Sequence, residues 1–288
     1  MEWDYFLQTI VLSAASASVV LIAAIGLAVV FGLMGVINLA HGEFIMFGAY
    51  ATLLSYRTGL PFPAAVLIGT LATALFGIVV ERLIVCRLYG RLLDTMLATW
   101  GLSLVLYQSA VLMFGTVTPG IGLPMSHFEI GRFNVSSYLV FLIGVAIALF
   151  VLLYVVFTRT AYGVMARAAI QDPTTSRAVG IETSRLNMAT FGIGAGLAGF
   201  AGGILLPLIP ASPSMGFGLV IKAFLTVVAA GPVTLSGAFL SGGLLGTISG
   251  VTSSFWSTVA GNMLFFLATI VILCAFPKGI SERWRLKL

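Results

Sequence analysis

Three side chains able to do chemistry stand close together in "GVINLAHGEF", residues 35–44: Asn38, His41 and Glu43. An imidazole two residues from a carboxylate admits a metal site, acid–base catalysis, the lining of a solute path, or a loop at a membrane surface. The first two need further partners, and the sequence offers none. His127 is the only other histidine, and Cys86 and Cys274 form no paired pattern, so no metal site is expected. No G-x-S-x-G occurs, and no serine has a base beside it. Lys222, Lys278 and Lys287 all lack the G-x-x-x-x-G-K-[ST] context that cradles nucleotide phosphates, so the chain itself holds no ATP. With no catalytic residue, metal or cofactor assigned, the chain reads as a non-enzyme. Two readings of the stretch remain. Either Asn38 caps a following helix while Gly42 permits close approach, or Asn38, His41 and Glu43 belong to an inner gate or pathway.

The elements that hold these residues are apolar. Of 288 residues, 60% are hydrophobic and 8% charged, with a mean hydropathy of +1.13. A soluble domain carries about a quarter charged residues, so here the solvent is lipid. Glu2 and Asp4 stand where a secretory signal has basic residues, and no cleaved leader is expected. The cysteines suggest no disulfide framework. The net charge of +5 is topogenic and does not point to nucleic acid. Eleven of the fourteen Lys and Arg fall in three stretches: Arg82 to Arg91, Arg159 to Arg185, and Lys278 to Lys287.

A span needs about 20 apolar residues. Candidates are 8–33, 39–56, 61–80, 95–115, 136–157, 187–209 and 257–276, with 216–255 too long for one pass and broken at "AAGPVTLSG" (229–237). That stretch reads as two shorter spans, 218–230 and 237–254, because Pro232 removes a donor and Gly231 and Gly237 relax the backbone. The expected fold is all-α and polytopic: one transmembrane domain over 1–288, about eight transmembrane helices, one segment broken or re-entrant. An outside amino end and a cytoplasmic carboxyl end put all three basic clusters inside. The external stretch 116–135 reads as a surface loop or a pathway cap. Glycines four apart in "GIGAGLAGFAGG" (192–203) and "GGLLGTISG" (242–250) predict close helix packing in lipid.

The longest cytoplasmic connection, about 158–186, reads as a short amphipathic helix. Tyr162, Met165, Ala166, Ala169 and Ile170 make one face, and Arg167 and Gln171 lie on another. Asp172-Pro173 breaks it, and a second piece ends at Gly180. Such an element suits docking into a groove on a soluble protein, or resting on headgroups.

These residues carry a resemblance. "AYGVMARAAIQDPTTSRAVGI" (161–181) is similar to the coupling loop of ATP-binding-cassette (ABC) importer permeases of the branched-chain amino acid (LivH) family. "GLMGVINLAHGEFIMFGAY" (32–50) and the closing "FPKGI" (276–280) resemble the same family, and "ERLIVCRLYGRLLDTMLATWGLSLVL" (81–106) its urea-transport (UrtB) branch. The resemblance implies a bacterial inner-membrane permease subunit importing a branched-chain amino acid, urea or a similar small polar solute. It further implies a second, LivM-like permease, two cytoplasmic ATPase subunits carrying ATP and Mg, and a periplasmic solute-binding protein. ATPase contact falls to Arg167, Ala168, Gln171, Asp172, Pro173 and Gly180. Pro232 stands in a turn that is glycine-rich in the family. The rival reading is a self-contained channel or secondary transporter, which predicts more intramembrane ionisable groups than this chain has.

Overall fold

The computed structural model describes residues 2–116, 120–130, 133–231 and 234–281. Eleven α-helices are present among them: α1 (Glu2–Met34), α2 (His41–Arg57), α3 (Phe62–Leu83), α4 (Leu92–Phe114), α5 (Ser137–Arg159), α6 (Ala161–Gln171), α7 (Pro173–Ala178), α8 (Thr183–Leu205), α9 (Met215–Ala230), α10 (Thr234–Phe255) and α11 (Thr258–Ala275). Seven segments are long and apolar enough to cross a membrane: Asp4–Met34, Phe62–Arg87, Leu92–Phe114, Ser137–Arg159, Thr183–Leu205, Leu235–Phe255 and Thr258–Ala275. The all-α, polytopic expectation holds, with one addition. Within the connection between α4 and α5, β1 (His127–Ile130) and β2 (Phe133–Ser136) pair antiparallel, His127 opposite Ser136.

The chain forms two compact units. One comprises 25–121 and 152–221, the other 1–24, 122–151 and 222–288. In the first, α2 is a 17-residue helix with eleven residues buried, packed on α3 and α8. It tolerates polar groups because protein, not lipid, surrounds it. Backbones meet there without intervening side chains: a Cβ at Gly48 would strike the Gly199 backbone, and one at Gly202 would strike the Ile45 carbonyl. Gly192 and Gly196 of the predicted row face Ile78 and Ala74 of α3. Apolar burial between helices gains little when lipid is the alternative, so close packing is what holds these helices together.

In the second unit, Gly242, Gly246 and Gly250 of α10 lie against Leu21, Ala17 and Ser13 of α1, an antiparallel row of small residues. The break between α9 and α10 is where the sequence puts it, although Pro232 itself lies outside the described residues. The second half is longer than 237–254: α10 has 22 residues, about 33 Å, enough to span, whereas the 16 residues of α9 reach only about 24 Å. The end of α9 is closed by the carboxyl-terminal segment. Ile280 and Ser281 donate their amides to the Ala229 and Ala230 carbonyls at 3.0 and 3.1 Å. Those carbonyls have no partner within their own helix. Gly231 and Gly279, at φ 83° and 85°, touch backbone to backbone at this junction. The segment "FPKGI" is thus a structural latch on α9.

Candidate functional site

Asn38, His41 and Glu43 are all buried, at 3%, 1% and 5% exposure. Asn38 is not the helix cap that sequence reading allows. Its Oδ1 accepts from the Ala40 amide at 3.0 Å, and Ala40 is the residue flanking α2, so Asn38 closes a turn one step before the helix. Glu43 Oε1 accepts from Ser103 Oγ at 2.8 Å, while Oε2 is buried with no hydrogen-bond partner among the described residues. His41 lies on another side, against Gly26 of α1, where a Cβ would come within 3.0 Å of its Cε1. The three residues therefore share a helix end but do not converge on one point.

The side facing Glu43 comes from α4, and sequence reading did not find it. Thr95, Thr99 and Ser103 recur every fourth residue, and the two threonines are buried. Thr99 Oγ1 accepts from the Leu39 amide at 3.1 Å. Thr95 Oγ1 donates to backbone carbonyls at Leu88 and Arg91. Beside them Met34, Gly35, Val36, Gly90, Arg91, Leu92 and Thr95 line a cavity of about 170 Å³. The opposite flank of α4 is exposed and apolar (Leu93, Leu97, Leu104). The available signal was a hydroxyl row at helical spacing inside an apolar helix. Among the described residues no three His, Cys, Asp or Glu are grouped to hold a metal.

The connection between α5 and α8 folds as two capped helices. Thr160 Oγ1 accepts from the Gly163 amide and starts α6. Asp172 ends α6 and starts α7, its carboxylate accepting from the Thr174 and Thr175 amides at 2.9 and 3.1 Å, with Pro173 in the first turn. The Thr175 hydroxyl, then those two amides, hold the Asp172 carboxyl below its usual range. Gly180, at φ 92°, closes α7: its amide donates to Arg177 and that of Ile181 to Ser176, a Schellman pairing.

The faces of α6 differ in part from expectation. Gly163 and Ala166 are buried and Tyr162 and Ala169 partly so, but Met165 and Ile170 are exposed, as are Val164 and, after α7, Val179 at 73%. Gly163 sits on the backbone of Phe157, which turns the buried face one position earlier. Arg167 does not reach outward freely either: its guanidinium donates to the Phe157 carbonyl in the last turn of α5. Ala168 is half-buried, and Gln171, Asp172, Pro173 and Gly180 are exposed.

Two tyrosines tie this side of the unit to α8. Tyr162 Oη and Thr190 Oγ1 are 2.6 Å apart, and burial raises the Tyr162 phenol. Tyr89 donates to the buried Glu81 carboxylate and also bonds Asn187. Burial first, then Glu81, pushes its phenol up.

The chain matches the family described as "Branched-chain amino acid transport system / permease component" over residues 9–274. It is 29% identical to the high-affinity branched-chain amino acid transport system permease protein LivH of Escherichia coli (strain K12), covering 98% of this chain and 97% of that one. It is 30% identical, with the same coverage, to the permease protein BraD of Pseudomonas aeruginosa. LivM of Escherichia coli (strain K12) is 29% identical over 70% of this chain and 53% of its own length. No solved structure matches. The match runs along nearly the whole of a polytopic helical chain, and the relatives that it finds are transport subunits. The chain belongs to the permease-component family of branched-chain amino acid transport systems and is a transmembrane subunit of an ABC importer.

Proposed function

We propose that this subunit moves a branched-chain amino acid inward across a bacterial inner membrane, paired with a LivM-like permease. Two cytoplasmic ATPases hold ATP and Mg, and a periplasmic binding protein delivers the solute. The α6–α7 segment meets an ATPase. The amino end lies outside and the carboxyl end in the cytoplasm, so that the loops bearing Arg82, Arg87, Arg91, Arg159, Arg167, Arg177 and Arg185 face inward. The observation that carries the reading is the form of α6–α7. It is a pair of short helices, fixed by caps at both ends, that leaves Val164, Met165, Ile170 and Val179 exposed on a basic, aqueous side. Apolar side chains in water on an ordered scaffold fit a groove in a soluble partner.

In this reading Arg167 and Asp172 build the segment, while Ala168, Gln171, Pro173 and Gly180 shape the surface that it offers. Nucleotide acts through the segment only if the ATPase binds it differently with and without ATP. Asn38, His41 and Glu43, with Thr99 and Ser103, form the inner end of the path. The family's branched-chain amino acid relatives favour that solute over urea. The test is co-purification of the ATPase with this chain. Val164→Asp combined with Val179→Asp is expected to reduce recovered ATPase at least ten-fold without changing the chain's own thermal stability. ATPase recovery at the unaltered level would remove α6–α7 as the contact.

A further inference from the structure

Lys222 is a cation in an otherwise apolar helix, seven residues into α9 and about 10 Å along its axis. Its Nζ donates to Asn262 Oδ1 of α11 at 2.8 Å and lies 5.8 Å from the centre of the Phe265 ring. Both contacts are with neutral groups. The ion pairs among the described residues, Arg91 with Asp94 and Arg185 with Glu182, are exposed and lie elsewhere. Among the described residues Lys222 therefore has no counter-ion. A half-buried ammonium at membrane depth is costly when unpaired, and a methionine of similar length fills the same space without that cost.

What the pair leaves open is one-sided. An ammonium has three donors, and Asn262 takes one of them. Lys222 occupies one of the two lone pairs of Oδ1, and Asn262 also presents its amide hydrogens, so donors outnumber acceptors in the free capacity at this point. Its complement is an acceptor-only anion, and charge-assisted bonds to a carboxylate are about twice as strong as neutral ones. The buried ring of Phe265 keeps one side of the ammonium dry, which strengthens the attraction. Asn262 is four residues into α11, about 6 Å from its start, and Lys222 stands near the middle of the 16-residue α9. In the orientation proposed above, Asn262 lies in the outer half of the membrane.

We infer that Lys222 and Asn262 form a subsite that binds the carboxylate of the transported solute. The inference rests on the importer reading: a branched-chain amino acid is a zwitterion whose carboxylate must be held when water is stripped away. A lipid phosphate offers the same acceptor chemistry, and the lipid arms of the test separate the two sources.

The experiment uses the complete transporter in vesicles, supplied with saturating leucine-loaded binding protein and internal ATP. Lys222→Met removes the charge and is expected to slow leucine uptake at least ten-fold, with Lys222→Arg keeping at least a third of the original rate. Asn262→Asp gives Lys222 an internal carboxylate. That variant is expected to assemble and to be at least as heat-stable as the unaltered chain, yet to lose uptake to the same degree because the subsite is filled. The loss is expected to be equal in phosphatidylcholine vesicles and in vesicles containing phosphatidylglycerol. Wild-type uptake by Asn262→Asp overturns the inference, since Lys222 then needs only a counter-charge. A Lys222→Met defect confined to phosphatidylglycerol overturns it in favour of a lipid site. If Lys222→Met does not assemble, Asn262→Asp decides alone. Absence of leucine uptake by the unaltered complex defeats the importer reading instead, and so is told apart from failure of the subsite.

Discussion

The start of α2 and the α6–α7 segment invert each other. At the first, polar and ionisable side chains are buried among apolar helices; at the second, Val164, Met165, Ile170 and Val179 are exposed. Each is on the wrong side of its own solvent, and neither placement favours stability by itself. Burying Glu43 with one oxygen unpartnered carries a desolvation cost. Exposing four apolar side chains forgoes what their burial would contribute. In the proposed reading, the same departure from solvent matching serves a solute path in one place and a partner's seat in the other.

The comparison breaks most completely if the buried side loses its scaffold. Gly199→Val puts a branched side chain against Thr73 and the Gly69 carbonyl. Overpacking of this kind costs about 1–3 kcal/mol or more, so the melting temperature in detergent is expected to fall by several degrees or the folded chain to be lost. Next in size is the exposed side. The Val164→Asp and Val179→Asp pair is expected to detach the ATPase while the melting temperature stays put, a separation that a structural role would not give.

A smaller effect sharpens the buried side. Ser103→Ala removes the one hydrogen bond given to Glu43 and is expected to destabilise by about 1–3 kcal/mol, the range for stranding a buried polar group. Glu43→Gln, close in shape, is expected to hold stability nearer to the unaltered chain while slowing uptake several-fold. Equal effects on stability and uptake in both variants would make the seam structural only.

Local chemistry was legible in the sequence, and tertiary chemistry was not. The break at Asp172-Pro173 and the stop at Gly180 follow directly from the residues, because caps and turns act within three or four positions. The break after Ala230 was readable for the same reason. The Thr95, Thr99 and Ser103 row escaped notice because a hydroxyl in an apolar helix can return to its own backbone, as Thr95 does to Arg91. Only the neighbour across the packing gives such a row a function. Arg167 looked outward because sequence cannot show that the end of α5 lies beside it. Asn38 looked like a cap because it stands only two residues before the capping position, which Ala40 holds.

The smallest effect is titratable. The Asp172 carboxyl is held below its ordinary value, so its capping of α7 is fully present above the usual carboxylate range, near pH 4, and is lost as pH falls through the lowered value. Hydrogen-exchange protection at Thr174 and Thr175, corrected for intrinsic rates, is expected to stay flat from pH 8 to about pH 5 and to drop only in stronger acid. Asp172→Asn, itself a good cap, is expected to remove that dependence.

The central claim is that this chain is one part of a driven importer and carries no complete path of its own. Leucine flux into vesicles tests it most directly, measured with this chain alone and then with the second permease, the ATPases, the binding protein and ATP. Flux that appears only in the complete set, and stops when ATP is withdrawn, is the expected result. Leucine entry through this chain alone, independent of ATP, would contradict it.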